Sequence, residues 1–454
     1  MAKVKKAKIA IEDILLPIDE HPYEIPQNWC WVKHNGVLDI SGGSQPAKSY
    51  FISEPTEGYI KLYQTRDYGD NPVPVYIPEK YATKTTLEGD ILLARYGGSL
   101  GKVFRAHEGA YNVALAKVIK LYPDLIDDEY LYKYYFTQFY QDFCVKASKG
   151  RSAQAGFNRD DMNNIPFPLP PLAEQRRIVE QIESLFTKLD EAKEKALSVV
   201  ESFESRKKAI LNNAFNGLYS TDWREKHHCT LDDWKDRKIN EICIPRAGFA
   251  FNSKKFTESG IQIIRMGNLY AGKLNLSRSP VFYDISDVDD NIIKRSMVHD
   301  GDILLTLTGT KYKRDYGYAV CIEGEHELLV NQRILCLTPT EKIDKEYLLY
   351  YLRSEIFRDI FFSNETGGVN QGNVSSKFVE NIEIKLPSIE EQKEISKILK
   401  NILTKEEQAK ELEEFVIEQI ELMKKSILAK AFRGELGTNI ATEESAIELL
   451  KSIL

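Results

Sequence analysis

No two cysteines in this sequence stand at the C-x-x-C spacing of a metal knuckle or a redox pair. The six present, at positions 30, 144, 229, 243, 321 and 336, are scattered, which favours reduced thiols in a cytoplasmic protein over a disulfide framework. No apolar run reaches the roughly 18 residues that span a bilayer, so no membrane partner is expected. The opening MAKVKKAKIAIEDILLP is basic but has Glu12 and Asp13 where a signal peptide is apolar, so export is not expected. Catalytic signatures are missing as well. The nearest approach to the NPPY motif of adenine methyltransferases, Asn71-Pro72-Val73-Pro74, lacks the aromatic residue. GGSLGKV (97–103) resembles a phosphate loop only superficially: the first glycine is misplaced, and Val103 stands where Ser or Thr would hold magnesium. His227-His228-Cys229 has metal-ligand chemistry, but no second pair follows at metal spacing, and a solvated interdomain linker is the plainer reading. The expectation is a chain without catalytic residues, metal or cofactor of its own.

At 454 residues the chain is too long for one ordinary core, and roughly 150 residues per domain points to about three units. Hydrophobic residues make up 43% and aromatics 11%, enough to build real cores. The net charge of −7 argues against a surface that binds nucleic acid everywhere. Many carboxylates lie in two stretches, EQIESLFTKLDEAKEKA and EEQKEISKILKNILTKEEQAKELEE. Basic loops elsewhere can still grip phosphates.

What the chain does contain is a long internal repeat. Residues 165–217 return as 382–434, without a gap, at a constant offset of 217. About 21 of the 53 positions are identical, and such self-similarity governs the whole reading of a fold. Ahead of each copy lies a segment of short apolar β-rich runs punctuated by Gly, Pro and Asn. GYIKLYQTRD (58–67) is answered by GIQIIRMGNL (260–269), and EGDILLARYG (88–97) by DGDILLTLTG (300–309). EYLYKYYFTQFY, within a helically spaced stretch at 129–147, is answered by EYLLYYLRSEIF (346–357); its aromatics read as core packing rather than base stacking. Offsets drift between these segments but not between the repeat copies. One scaffold with variable loops is expected, the loops carrying specificity.

The repeat copies read as helices with a coiled-coil seam. In the first copy Ile178, Ile182, Leu185, Leu189, Ala192, Ala196, Val199 and Phe203 follow steps of four and three. The second has Glu406 and Glu413 where the first has Leu189 and Ala196, so the two sides differ. Pro170-Pro171 and a Ser388/Glu391 capping box open the helices, and Gly217 and Gly434 close them. Ala192 and Ala409 are expected mid-helix, at the point of closest approach. About 43 residues at 1.5 Å each give a rod of roughly 64 Å. The fold class expected is α+β: two similar mixed α/β domains joined by two long antiparallel helices in a pseudo-twofold repeat. Two domains on a fixed rod form a caliper, suited to half-sites on DNA about one to two turns of 34 Å apart.

The paired PLPPLAEQRRIV and LPSIEEQKEI helix starts, GDILL twice, the opening PYEIPQNWCWV and the ending AFRGEL resemble the DNA-specificity subunit of type I restriction–modification systems, over nearly the whole chain. The resemblance implies an N-terminal arm (1–22), a first target-recognition domain (23–164), a first spacer helix (165–217), a linker (218–233), a second target-recognition domain (234–381), a second spacer helix (382–434) and a tail (435–454). It further implies that each domain reads one half of a bipartite site in double-stranded DNA. The helix pair would set the spacing and dock two methyltransferase subunits, with motor–nuclease subunits in the full complex. S-adenosylmethionine, ATP and magnesium belong to those partners. Competing readings are the specificity subunit of a related system that cuts near its site, a coiled-coil scaffold that does not touch DNA, and a stand-alone enzyme.

The DNA-binding candidates lie in loops. After the first GDILL strand come Arg95, Tyr96, Ser99 and Lys102, with Arg105 nearby; at the matching place come Lys311, Tyr312, Lys313 and Arg314. The polar loops before the long helices offer Lys149, Arg151, Ser152 and Gln154, then Asn370, Gln371 and Asn373. Arg66 and Asn268 follow the GYIKLYQT and GIQIIRMG strands. Arg and Lys suit guanine edges or phosphates, Asn and Gln adenine. Any one alone reads equally well as an exposed turn residue; recurrence at matched places in both halves favours DNA contact.

Overall fold

The computed structural model describes residues 10–149, 156–163, 165–286, 288–368 and 370–454. The chain forms two compact units, the first built from Met1–Ala196 with Phe415–Leu454 and the second from Leu197–Glu414. Each holds one globular domain, the start of one long helix and the end of the other. Those helices run Leu172–Phe215 and Ile389–Ala431.

The strands of the first unit are β1 (Cys30–Lys33), β2 (Leu38–Gly42), β3 (Tyr59–Tyr63), β4 (Tyr76–Pro78), β5 (Thr85–Thr86), β6 (Ile91–Ala94), β7 (Val103–Arg105), β8 (Gly109–Tyr111), β9 (Leu115–Lys120) and β10 (Pro166–Leu169). They form a sheet of order β2-β9-β6-β7, a second of order β4-β3-β8-β5, and the pair β1-β10. The strands of the second unit are β11 (Lys235–Lys238), β12 (Cys243–Ala247), β13 (Phe256–Thr257), β14 (Ile261–Ile264), β15 (Phe282–Tyr283), β16 (Ile303–Thr306), β17 (Thr308–Gly309), β18 (Ala319–Cys321), β19 (Leu328–Val330), β20 (Ile334–Pro339), β21 (Gly372–Asn373) and β22 (Glu383–Leu386). Here the sheets run β12-β20-β16-β18 and β13-β15-β14-β19, with pairs β11-β22 and β17-β21. The topology repeats down to its parallel contact, β3 with β8 and β14 with β19. The GDILL strand is the central β6 or β16, buried throughout. Its Asp closes the turn before it: Leu87 N donates to Asp90, and His299 N to Asp302, each at 2.7 Å.

The Glu-Gln pair at the head of each repeat locks helix to domain. Trp29 Nε1 donates to buried Glu174 at 2.7 Å, and Trp234 Nε1 to buried Glu391 at 3.1 Å. Burial raises the Glu174 carboxyl above its ordinary range, against the lowering effect of the Trp29 and Asn439 hydrogen bonds. Gln175 accepts from the backbone of Asp127 and donates to the carbonyls of Leu125 and Pro170. Gln392 does the same with Asp344, Lys342 and Pro387. Asp127 and Asp344 each cap the following domain helix, Asp128–Tyr134 or Lys345–Arg353. Tyrosines from those helices bind the strand that leads into the rod: Tyr130 and Tyr134 donate to the carbonyls of Pro168 and Pro166, Tyr347 and Tyr351 to those of Lys385 and Glu383.

Several expectations change in detail. Segment 165–217 is not helical throughout, because Pro166–Leu169 is engaged as β10 against β1. The stretch 129–147 is two helices, since Thr137 caps a second one at Gln138–Lys149; Ser354 makes the same break in the second unit. Ser388 caps its helix, but Glu391 turns into the core instead of closing a capping box. Segment 218–233 is no bare linker: Thr221–His227 is a helix whose Arg224 is buried against Glu391 at 3.0 Å. The tail behaves likewise in the first unit, with Ala446 and Leu450 buried, and Arg177 bound to Glu443 at 2.8 Å.

Within each unit the two helix segments run antiparallel. Lys193 meets Glu421 and Lys424 meets Asp190 in the first; Arg206 meets Glu406, and Lys410 lies over Phe203, in the second. Residue numbers rise on one helix as they fall on the other. Glu406, which interrupts the seam, receives Arg206 at 2.8 Å, and Arg206 also donates to the Val199 carbonyl. Ala196 is buried, whereas Ala192 is exposed, so the seam follows a narrower set of positions than the periodicity predicts. Gly217 and Gly434 sit at φ +76° and +74° past the helix ends, a conformation natural to glycine.

Replacing Glu391 by Ala strands a buried guanidinium and is expected to cost about 3–5 kcal/mol in the second unit. Replacing half-exposed Arg206 by Ala should cost no more than about 1 kcal/mol. Denaturant unfolding of the two variants checks the contrast; equal losses would refute it.

Candidate nucleic-acid interface

In both units the loop after the GDILL strand is pinned to the loop that precedes the long helix. In the second unit Thr308 and Gly309 pair with Asn373 and Gly372, and Val374 N donates to the Leu307 carbonyl. In the first, Tyr96 bridges to Gly156, and Phe157 N donates to the Arg95 carbonyl. Two loops far apart in sequence thus form one surface on each domain.

On the second domain this surface holds Lys311, whose Nζ donates to the Gly367 carbonyl at 3.0 Å and lies over the Tyr312 ring. Tyr312 is 80% exposed at φ +65°, and its N–H is held by Glu365. Glu365 also takes the Tyr316 hydroxyl at 2.7 Å; burial first, then this carboxylate, pushes that phenol up. Lys313 is exposed and forms no ion pair among the described residues. Arg314 is instead tied down by Asp359 at 2.8 Å and by the face of Phe362. Asn370 and Gln371 are exposed, while Asn373 lies in β21 with its backbone paired.

On the first domain Arg95 is half-buried, donating to the Val113 carbonyl at 2.9 Å and stacking on half-buried Tyr96. Ser99 sits half-buried in a single turn at Gly97–Ser99, and Lys102 is exposed just before β7. That strand–turn–strand geometry offers no helix N-terminus, unlike a phosphate loop. Arg105 is engaged by Glu129 and the Tyr132 ring. Arg66 is exposed on the turn Thr65–Tyr68, and Lys149 ends the helix Gln138–Lys149 exposed. Arg151, Ser152 and Gln154 lie outside the described residues.

Asn268 is a correction. It is 2% exposed, accepts from Arg265 N at 2.8 Å, and donates to the carbonyls of Asn275 and Arg278. Its amide builds the loop and has no proton left for a base. The equivalent residue is Asp67, which accepts from Gln64 N at 2.7 Å, so the pairing of Arg66 with Asn268 is one residue out of register.

The structure adds a cleft of about 600 Å³ beside this loop, lined by Arg265, Arg278, Gln332 and Arg333, with no carboxylate among its lining residues. Sequence reasoning missed it because its arginines come from three separate loops. The available signal was the step out of β8 and β19, where Asn112-Val113-Ala114 is matched by Asn331-Gln332-Arg333. Among the described residues no cluster of His, Cys, Asp or Glu suits a metal, and no helix is long and apolar enough to cross a membrane.

The type I restriction modification DNA specificity domain model matches residues 26–202 and again 231–421. The chain is 25% identical to the type I restriction enzyme MjaVIII specificity subunit of Methanocaldococcus jannaschii, across 92% of this chain and 95% of that one. It is 24% identical to the EcoKI specificity subunit of Escherichia coli, across 95% and 96%. A solved structure of a type I R-M system superposes with a TM-score of 0.67 at 19% identity, covering 91% of this chain and all of that one. The HsdS subunit from Thermoanaerobacter tengcongensis gives 0.60, also at 19% identity, covering 92% of this chain and all of that one. Matched twice along its length, this chain belongs to the family of type I restriction–modification DNA specificity subunits.

Proposed function

We propose that this chain is the non-catalytic DNA-recognition subunit of a type I restriction–modification complex, with each globular domain reading one half of a bipartite site. The observation that carries the reading is the doubled surface: two domains of one topology pin the same two loops together by the same bonds, yet present different side chains. In the second domain Lys311, Tyr312, Lys313 and Gln371 share one edge; in the first, Arg95, Tyr96 and Lys102 hold the corresponding place. Such a basic edge can follow phosphates while Arg, Gln and Asn side chains read base edges. The antiparallel helices set the spacing and dock two methyltransferase subunits. S-adenosylmethionine, ATP and magnesium then act on the methyltransferase and motor–nuclease partners.

A second observation supports docking on the helices. Phe415, Val416, Leu422 and Met423 are 40% or more exposed on the second long helix. The sevenfold spacing of Phe415 to Leu422 and Val416 to Met423 places them on one face, and an uncovered apolar stripe of this kind marks a protein contact.

Co-expressed with its modification subunit, the chain should direct adenine methylation to a gapped two-part motif. Exchanging the first domain for a relative's should change one half of that motif alone, and a change in both halves would refute the division of labour. Lys313→Ala should make the negative slope of log K against log salt shallower by about 0.9, the signature of one lost phosphate contact; an unchanged slope removes Lys313 from the interface. Phe415→Asp with Met423→Asp should abolish co-purification of the modification subunit while leaving the thermal unfolding temperature in place.

A further inference from the structure

The loops leaving β8 and β19 share one backbone and differ only at the tip. Asn112 Oδ1 accepts from Ala114 N at 3.1 Å, and Asn331 Oδ1 accepts from Arg333 N at 3.3 Å. Asn112 N donates to the Tyr63 carbonyl and Asn331 N to that of Ile264, while the carbonyls of Ala114 and Arg333 receive Arg95 N and Leu307 N at 2.9 Å. Gly43 and Gly248 let the neighbouring strand approach so closely that a Cβ on either would meet the asparagine carbonyl oxygen at 2.1 or 2.2 Å. On this fixed frame the first domain displays Val113-Ala114 and the second Gln332-Arg333.

Both Gln332 and Arg333 are exposed, and neither side chain has a hydrogen bond or ion pair among the described residues. The cleft's other arginines are held differently: Arg265 donates to the Ser279 carbonyl at 2.7 Å, and exposed Arg278 lies over the Tyr270 ring. Arg333 therefore stands at the wall of a carboxylate-free cleft, on a loop whose backbone is already ordered. The ordered loop leaves no backbone to fix on binding, and the planar fork loses less entropy per hydrogen bond than a flexible ammonium; its complement is a pair of acceptors, as on the O6 and N7 of guanine, and an adjacent glutamine amide complements adenine.

Resting on the bipartite reading above, we propose that Gln332 and Arg333 are the base-reading element of the second half-site, Arg333 pairing with a guanine. The matching Val113-Ala114 then presents an apolar surface to the first half-site, suited to a thymine methyl rather than a guanine edge.

The test uses the full chain co-expressed with its modification subunit, and compares the methylated motif for wild type, Arg333→Ala and Arg333→Lys. One bidentate contact is worth roughly a 5- to 150-fold preference for the correct base. Arg333→Ala should relax a single guanine position in the second half by that factor and leave the first half unchanged. Arg333→Lys keeps the charge but not the fork, and should relax the same position. Methylation reduced evenly over all sites, with the motif intact, would make Arg333 a phosphate contact and overturn the proposal, as would an unaltered motif and level. A wild-type complex that yields no two-part motif would sink the bipartite reading itself, an outcome distinct from either.

Discussion

Everything else in this molecule depends on how a long helix is fastened to a β-rich domain. A rod that emerges from a sheet has unpaired N–H groups at its first turn and a flexible entry, and either defect would let the domain swing. Here the Pro171 and Ser388 carbonyls and the Ser388 hydroxyl take up N–H groups of the first turns, and one carboxylate and one amide per repeat fix the entry. Glu174 and Glu391 each hold a tryptophan from the start of the domain. Gln175 and Gln392 each join the helix to the loop whose aspartate caps a domain helix. The cost of burying these polar groups is offset because each finds defined partners in a water-poor setting, where a half-satisfied group would be destabilising. A loop carried by such a domain keeps its direction relative to the helix that bears it.

The two halves solve the same problem with different surroundings. In the second unit Arg224 reaches Glu391 from the segment between the repeats. In the first unit Asn439, from the tail, reaches Glu174, and Arg177 on the helix itself turns to Glu443. The tail thus stands to the first domain as the inter-repeat segment stands to the second, and the seam is similarly uneven, with Glu406 neutralised by Arg206 where the other copy has a leucine. Pseudo-symmetry of backbone with asymmetry of side chain suits a subunit that presents two different faces on one frame.

Loop tips follow the same rule at higher resolution. Backbone hydrogen bonds and close glycine approaches are repeated in both domains, so the geometry of presentation is shared. What differs is which side chains project from it, and which of those are free. Arg314 and Arg105 carry charge but are engaged by neighbours; Lys313, Lys102 and Arg333 are the more open ones. Charge alone is therefore a poor guide to contact, because a guanidinium beside a carboxylate has part of its charge neutralised and some of its five N–H donors committed.

Sequence alone determined the duplication, the two long helices and their glycine ends, the β-rich character of each domain and the central GDILL strands. These features rest on local periodicity, on identity at a constant offset and on turn chemistry, all written along the chain. It also carried the resemblance that named the family. Only the tertiary structure decided that 166–169 is a strand, since its partner β1 lies far away in sequence, and that Asn268 is interior, since its partners are carbonyls brought round by a loop. Pairing of the polar loops and the assembly of Arg265, Arg278 and Arg333 around one cleft were likewise out of reach. Each joins segments tens of residues apart, and periodicity records which face a residue occupies but not what folds against it.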